Sequence, residues 1–461
     1  MKAIPPCQLF LVPLIFFLTG MGQLQSQIGT RFPSEKKVID DPITGHQLIF
    51  LTSASHGDRK IYPTHPQWTA DGNWLIFMSN RVRGELIAVN ERSGDMVQIT
   101  EGGFVGTPLI GWSSMHIYVM RRAAPQQSRG QNTAMNIIKI DLDMLFRDSE
   151  KGQIQPKENY EDILGQIPST IGAHGDMALD ANEEYIYFRT SREEAEKHLP
   201  PGTNVEQNFG PRNMGAGPGG IGKINLLTGK SAHVISVPFQ VGHIQTNPWI
   251  PGEIVFCWET GGKSPQRTWT VRGDGTGLRP LYPEADYEWV THEAIITKDE
   301  VAMAIMGHRP VKISDELKEI DSDPENPGQE VAWGPSGTRE KPTGLAIVNI
   351  RTREMRIEAQ TNSGSGFWHV HGSSDGRWAV GDDFSRSIYL VDRTSREMMM
   401  ISTGHKTTAR DHPHPTFSPC GTKFQIQSAM LSEDDRSMNI CVIHVPEEWL
   451  NRTYENHFIP K

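Results

Sequence analysis

The stretch His369–Gly381 reads HVHGSSDGRWAVG and contains the pattern that decides the fold. A histidine-containing segment leads into a Ser-x-Asp-Gly turn, and an alternating apolar strand follows. Asp and Gly supply the backbone angles of tight hairpins, and a period of two is typical of a strand. This grammar, with variations in the turn, recurs in seven segments, which are His65–Met78, Thr107–Met120, His174–Phe188, His243–Phe256, His292–Ile305, His369–Gly381 and His412–Ile426. Seven copies of one unit predict an all-β fold, a seven-bladed β-propeller.

The two ends of the repeat array complement each other. Ile43–Thr52 resembles the last strand of a blade with no blade before it, whereas the final copy ends near Val445 without such a strand. We expect the N-terminal strand to complete the C-terminal blade, which closes the ring and removes exposed sheet edges. The longer stretches Asn208–Gly222 and Ser314–Thr338 interrupt the repeat and are predicted to form long loops over one face.

The N-terminus has the layout of a secretory signal peptide. Lys2 precedes an apolar run from Leu9 to Leu18, and small and polar residues continue to Ser26. We therefore assign residues 1–26 to a signal peptide and residues 27–461 to a single propeller domain, and we expect a periplasmic or secreted protein. No later stretch approaches the roughly 20 apolar residues of a membrane helix, so no membrane span is expected.

The composition limits the partners of the protein. The 461 residues include 45 Lys and Arg against 55 Asp and Glu, which gives a formal net charge of -10. Proteins that bind nucleic acid hold its phosphates on basic surface, so nucleic acid is not an expected partner. An acidic oligosaccharide in a local cationic pocket is compatible with this charge. The sequence gives no indication of the oligomeric state.

Histidine stands at or beside the start of six of the seven segments. Because this position leads into the innermost strand of a blade, we expect these side chains to converge at one end of the propeller axis. One such histidine is more often structural, whereas six together favour metal binding or acid–base chemistry. His412 and His414 are the clearest metal candidates, because alternating strand residues share a face. His369 and His371 repeat that spacing.

Several motifs together resemble the oligogalacturonate lyase family. They are, in order, Gly242–Gln245 (GHIQ), Gln266–Trp269 (QRTW), His292–Glu293 (HE) and His412–Pro415 (HPHP), and the likeness runs in patches from about Thr44 to the C-terminus. The family consists of seven-bladed propellers that cleave short pectin fragments by β-elimination with a manganese-like divalent metal. The resemblance therefore implies a lyase that requires a divalent metal, with Mn²⁺ as the expected ion.

The resemblance makes His243 the base and His292, His412 and His414 the metal ligands. Elimination removes the C5 proton of a uronate and expels the oxygen at C4. A cation and an arginine counter the charge that develops on the carboxylate, while a neutral histidine takes the proton. We therefore predict five further site residues: Arg267 as a catalytic residue, Gln245, Arg212 and His371 as substrate-binding residues, and Glu293 as the partner that orients a ligand histidine.

Two departures from the family pattern leave the substrate open. The family has a glutamine ligand three residues before the first paired histidine, where this chain has Ala409, so water or His371 would replace it. Gly219–Lys223 (GGIGK) stands where the family has an arginine-rich strand, and Arg212 lies nearby. The alternatives are a lyase acting on another uronate-containing oligosaccharide and a non-catalytic TolB-like propeller that binds a protein or glycan.

Overall fold

Seven antiparallel sheets, built from 30 strands, make up the described part of the computed structural model. The structure describes residues 27–126, 128, 130–285, 288–306, 344–361 and 366–454. The sheets follow one another as the blades of a ring, which confirms the predicted seven-bladed propeller. The proposed signal peptide and the predicted loop Ser314–Thr338 lie outside the described residues.

Each of the first six blades contains four consecutive strands. In blades 2 to 6 the first strand contacts the first strand of a neighbouring blade and is innermost, whereas the first strand of blade 1 contacts two strands of blade 7. Blade 1 contains β4 (Asp58–Lys60), β5 (Trp74–Ser79), β6 (Glu85–Asn90) and β7 (Met96–Gln98). Blade 2 contains β8 (Val105–Ile110), β9 (His116–Arg122), β10 (Met135–Asp141) and β11 (Glu161–Ile167). Blade 3 contains β12 (His174–Leu179), β13 (Tyr185–Arg189), β14 (Ala216–Asn225) and β15 (Ser231–Phe239). Blade 4 contains β16 (Val241–Thr246), β17 (Glu253–Trp258), β18 (Thr268–Arg272) and β19 (Arg279–Pro280). Blade 5 contains β20 (Val290–Thr297), β21 (Glu300–Ile305), β22 (Gly344–Asn349) and β23 (Met355–Ala359). Blade 6 contains β24 (Phe367–Gly372), β25 (Trp378–Asp383), β26 (Ile388–Asp392) and β27 (Glu397–Ser402). β1 (Arg31–Phe32) pairs with the outer edge of blade 1.

Blade 7 combines strands from the two ends of the described chain. From the inside outward its strands are β28 (Thr416–Phe417), β29 (Lys423–Ser428), β30 (Asn439–His444), β3 (Gln47–Phe50) and β2 (Lys37–Asp40). β3 pairs antiparallel with β30, with Leu48 opposite Ile443 and Phe50 opposite Cys441. The predicted closure is therefore confirmed. The structure adds a second N-terminal strand, β2, which the repeat did not indicate.

The hydrophobic core lies between neighbouring blades. Leu86 of blade 1 packs in one cluster with Val119 of blade 2, and Trp378 of blade 6 packs in another with Phe424 of blade 7. Strand side chains alternate between the two faces of a sheet, and in a propeller both faces meet a neighbouring blade. Burial on both faces explains why all six residues of β17 are buried.

One predicted loop is partly wrong. Asn208–Gly222 is irregular only up to Ala216, where β14 begins. A Cβ atom at Gly219 would lie 2.5 Å from the carbonyl oxygen of Phe239 in the paired strand β15. The glycines of this stretch therefore allow close strand packing, so that a composition typical of loops forms a strand instead.

The described residues include three short helices: α1 (Leu142–Lys151), α2 (Arg192–Lys197) and α3 (Glu447–Leu450). α1 begins at Asp141, whose carboxylate accepts the N–H of Met144, and ends at Gly152 in a left-handed conformation. Single 3₁₀ turns occur at Asn80–Val82, Lys157–Asn159 and Pro211–Asn213. In the described ranges, no helix has the length and apolar character needed to cross a membrane.

Candidate active site

Three histidines at the inner ends of their blades have a left-handed backbone. φ is 48° at His243, 51° at His292 and 53° at His414. β16 and β20 each shift register beside their histidine, and β8 shifts in the same way beside Gly106, where φ is 79°. Such bulges redirect side chains, and a residue other than glycine held in this conformation costs on the order of 1–3 kcal/mol. Ten non-glycine residues of the described chain have a positive φ, and four of them, these three histidines and Arg212, are residues that we assigned to the site from the sequence.

Four imidazole rings from blades 5, 6 and 7 cluster at this end of the axis. The ring of His369 lies between the others, with centroid distances of 3.8 Å to His414, 4.1 Å to His292 and 5.3 Å to His412. Nε2 of His369 is 2.8 Å from Nε2 of His414. The structure thus brings together the three predicted ligands and adds His369, to which we assigned no role from the sequence.

Asp382 of β25 lies beneath this cluster and is fully buried. Its carboxylate oxygens are 3.2 and 3.3 Å from Nδ1 of His369. It also accepts the backbone N–H of His369 at 2.7 Å and that of His414 at 3.2 Å, and one oxygen is 3.8 Å from Nδ1 of His412. A single carboxylate therefore fixes histidines of two blades. In the sequence, the signal that could have identified Asp382 is its position next to Gly381, after the turn of its repeat.

Blade 1 contributes Tyr62 instead of its repeat histidine. The Tyr62 hydroxyl is 2.6 Å from Nδ1 of His292, and its ring centroid is 4.9 Å from that of His243. His65 is a structural residue, because its Nε2 is 2.7 Å from the carbonyl oxygen of Met177 in blade 3. The repeat pattern gave no signal for Tyr62, which lies in the segment that joins β4 to the first repeat segment.

His243 is held by two carboxylates and an arginine. Its Nδ1 is 3.1 Å from Oε1 of Glu293, and its Nε2 is 3.4 Å from Oε2 of Glu259. Arg267 donates from Nε to Glu293 at 2.9 Å, and one of its terminal nitrogens is 3.6 Å from Glu259. The predicted base, its arginine and Glu293 therefore form one cluster. We expected Glu293 to orient a ligand histidine, but in the structure it orients His243. Glu259 also belongs to the cluster, although we assigned it no role from the sequence.

The charges of this cluster perturb one another. Burial acts to lower the pKa of His243, but the hydrogen bond and charge of Glu293, together with the charge of Glu259, outweigh it and raise that pKa. Burial acts in the opposite sense on Glu293, where the positive Arg267 and the bond from His243 prevail and lower the pKa to about 2. Glu293 is therefore a permanent carboxylate near neutral pH, and it favours a protonated His243.

The pKa values of three clustered imidazoles are shifted in the opposite direction to that of His243. Burial lowers the pKa of His292, His369 and His414, and nearby positive groups lower the pKa of His292 and His369 further. Neutral imidazole is the form that binds a metal ion. Near neutral pH these rings therefore present lone pairs instead of charges.

A cavity of about 1660 Å³ opens onto the cluster. His292 and His412 line it, with the aromatic rings of Trp368 and Phe384 beside them. Five arginines and three carboxylates of the described chain contribute to its wall: Arg59, Arg267, Arg386, Arg410 and Arg436, with Glu85, Glu259 and Asp411. Although the whole chain is acidic, this cavity has an excess of positive side chains.

Two groups of described side chains place metal-ligating atoms within 4.8 Å of one another. One contains His369, Asp382 and His412, and the other contains His243, Cys257 and Glu293. The first group is part of the imidazole cluster, whose nitrogen and oxygen donors suit a divalent transition metal. In the second, Glu293 is neutralised by Arg267, and burial raises the pKa of the Cys257 thiol well above its ordinary value. The donor chemistry favours the first group.

Solved structures of oligogalacturonate lyases have the same architecture. An oligogalacturonate lyase in complex with manganese aligns with a TM-score of 0.67 and 17% sequence identity, over 92% of this chain and 100% of the other. The oligogalacturonate lyase of Vibrio parahaemolyticus aligns with a TM-score of 0.65 and 17% identity, over the same shares of the two chains. What the chains share is the seven-bladed propeller fold. No family model matches the chain, and no curated protein matches it.

Three residues predicted to bind substrate lie outside the imidazole cluster. The side-chain amide of Gln245 joins two blades, donating to the carbonyl of Glu293 and accepting from the N–H of Ile295. Nδ1 of His371 is 2.9 Å from the carbonyl oxygen of Gly372. Arg212 is exposed in the turn Pro211–Asn213 and is not one of the described residues that line the cavity. Their roles in substrate binding stay predictions.

Proposed function

We propose that this protein is a metal-dependent lyase that cleaves oligogalacturonides, fragments of pectin, by β-elimination to give 4,5-unsaturated uronate products. The observation that carries the proposal is the proximity of an oriented base to a cluster of neutral imidazoles. The ring centroids of His243 and His292 are 6.1 Å apart. A proton acceptor and a cation site at this spacing fit removal of a proton next to a carboxylate. The likeness to an oligogalacturonate lyase bound to manganese supports the same reaction.

His243 would remove the C5 proton through Nε2. Its Nδ1 faces Glu293, which fixes the ring and leaves Nε2 directed towards Glu259 on the cavity wall. Once the ring has gained the proton, two carboxylates neutralise the imidazolium. A positioned base of this kind contributes about 10²–10⁴-fold to a rate.

Arg267 would hold the charges of this cluster in balance. It is almost completely buried, pairs with Glu293 and lies near Glu259, and it also lines the cavity. Its positive charge keeps both carboxylates ionised, and we propose that it also faces the carboxylate of the substrate, as the sequence analysis suggested.

The proposed metal would be held by His292, His412 and His414. When bound, a divalent cation, in the first place Mn²⁺, supplies positive charge against the carboxylate from which the proton is removed. Tyr62 would position His292 through its hydrogen bond to Nδ1.

The cavity also supports an anionic oligosaccharide as the substrate. Arginines suit carboxylates because their planar donors match two oxygens at once. Trp368 and Phe384, with ring centroids 4.9 Å apart, offer apolar faces for the sugar rings. We further propose that the protein acts in the periplasm or outside the cell, where pectin fragments would be met.

The test is an assay of the metal-loaded protein on oligogalacturonate, followed by the ultraviolet absorbance of the unsaturated product. We expect absorbance to rise with wild-type protein and to stay flat with His243→Ala, while the metal content of the variant is unchanged. Metal lost together with activity would make His243 a ligand. Absence of product on every uronate oligomer, with and without metal, would overturn the lyase function in favour of a binding propeller.

A second candidate is the same reaction on a different uronate. Ala409 is buried and has no metal-binding atom in its side chain, and its carbonyl oxygen accepts a bond from Arg386 in the cavity wall. The wall next to the imidazole cluster therefore differs from the glutamine-bearing pattern of the family. A panel of uronate oligomers separates the two candidates by the relative kcat/KM on each.

A further inference from the structure

We infer that His369, held in place by Asp382, is a fourth imidazole ligand of the metal site formed by His292, His412 and His414. The inference rests on the metal dependence of the proposed function, but it concerns a blade that contributes no ligand among those assigned from the sequence. With His369, the site receives imidazoles from blades 5, 6 and 7.

The ring of His369 lies directly against the other imidazoles of the site. Nε2 of His369 and Nε2 of His414 face each other at 2.8 Å, and the ring of His292 is 4.1 Å away between centroids. Both side chains of the close pair are more than nine-tenths buried. Imidazole nitrogens directed at one another in a buried site need a proton or a cation between them. One ion could therefore contact both nitrogens after a small rotation of the rings.

The surroundings of His369 fix its tautomer. Nδ1 lies against the Asp382 carboxylate at 3.2 and 3.3 Å, so this nitrogen carries the proton and donates it. Nε2 is then the atom that carries the lone pair, and it faces Nε2 of His414 in the cluster. A histidine that donates its second nitrogen to a carboxylate is the common arrangement of histidine ligands in metalloproteins.

His371, the second histidine of β24, is engaged elsewhere and does not serve as the fourth ligand. Nδ1 of His371 is 2.9 Å from the carbonyl oxygen of Gly372 and 3.3 Å from the backbone nitrogen of Phe417. Although the two histidines stand two residues apart on β24, the strand shifts register between Phe367 and Val370, so that the usual alternation does not apply to His369. His371 is thus engaged with the backbone, while His369 faces the other imidazoles.

The test uses the full mature chain, stripped by a chelator and titrated with Mn²⁺. Affinity is measured by equilibrium dialysis, and the coupled imidazole nitrogens are counted by pulsed EPR of the bound ion. We expect His369→Gln to weaken binding at least tenfold and to lower the count by one. His371→Gln should change neither value. His174→Gln, at the repeat position of blade 3 and exposed, is the matched control.

Asp382→Asn tests the orienting role separately. The amide keeps an oxygen acceptor for only one of the two backbone N–H groups, and it removes the negative charge, so we expect the affinity for Mn²⁺ to fall by about 10–100-fold. Circular dichroism melting establishes that the variant is folded. Unchanged affinity in a folded Asp382→Asn protein would show that the carboxylate does not orient a ligand and would overturn that part of the inference.

The outcomes separate this inference from the proposed function. Mn²⁺ bound by four imidazole nitrogens, without unsaturated product from any uronate, would sustain the inference and overturn the lyase. Unsaturated product together with an unchanged nitrogen count in His369→Gln would overturn the inference alone. A loss of one nitrogen in His371→Gln instead would also overturn it, and a wild-type protein that binds no divalent metal would overturn both.

Discussion

Glu293 of blade 5 and His243 of blade 4 are joined across the blade boundary, with Oε1 of the carboxylate 3.1 Å from Nδ1 of the imidazole. The preceding residue on the same strand is His292, a proposed metal ligand. Neighbouring residues of a regular strand point to opposite faces, but the bulge in β20 and the left-handed backbone of His292 let the two side chains serve adjacent clusters. A single strand therefore positions both the base and the metal site.

The first prediction concerns pH. A base must be neutral to accept a proton, and the pKa of His243 is raised above its ordinary value. We therefore expect kcat/KM to be low in acid and to rise as the pH increases through that raised pKa. Glu293→Gln removes the charge that raises it, so the acid limb should move to lower pH. The plateau should also fall, by up to about 10⁴-fold, because the imidazolium loses its partner.

Glu284 provides the control for this pH profile. Burial raises its pKa to about 7, and its carboxylate accepts the backbone N–H of Arg267. Glu284→Gln should leave the midpoint of the acid limb in place. If the midpoint moves in Glu284→Gln and not in Glu293→Gln, the acid limb does not report His243, and this prediction is contradicted.

The second prediction concerns Tyr62. Removal of its hydroxyl in Tyr62→Phe deletes the 2.6 Å contact with His292 and leaves the ring. We expect the affinity for Mn²⁺ to fall by about tenfold, as for other residues that orient a ligand, with little change in stability. Tyr118→Phe, which removes from blade 2 a hydroxyl that donates to Glu183 of blade 3, should leave the affinity unchanged. Equal affinities of Tyr62→Phe and wild type would contradict the orienting role.

The third prediction concerns backbone strain. At His292, where φ is 51°, glycine should be tolerated better than alanine. We expect metal-free His292→Gly to be more stable than His292→Ala by about 1 kcal/mol in urea denaturation. At His174, where no left-handed backbone occurs, the order should reverse, because glycine weakens a strand. A His292→Ala protein that is at least as stable as His292→Gly would show that the left-handed conformation stores no strain.

The fold was predictable because its signals are local and repeated. The turn of each blade and the alternation after it can be read within a single segment such as His369–Gly381, and seven copies fix the ring. Closure followed from Ile43–Thr52, a strand with no blade of its own. β2 was not predictable, because it adds one strand beyond the repeat. β14 was not predictable either, because its glycine-rich composition is typical of a loop.

Only those residues of the site that belong to a recognisable sequence motif were predictable. His243, Arg267 and Glu293 came from three motifs and form one cluster, which is consistent with their assignment. Tyr62 and Glu259 carry no repeat signal, since their positions depend on how the blades meet. A bulge determines the direction of His369, and bulges cannot be read from an alternating pattern.

The mass balance of the cleavage products tests the central claim most directly. The metal-loaded protein is incubated with a single purified oligogalacturonide, and the products are identified by mass spectrometry. Elimination breaks the bond without adding water, so we expect the masses of the two products to sum to the mass of the substrate, with the unsaturation on one fragment. Products that together carry one additional water would show hydrolysis and would contradict the account.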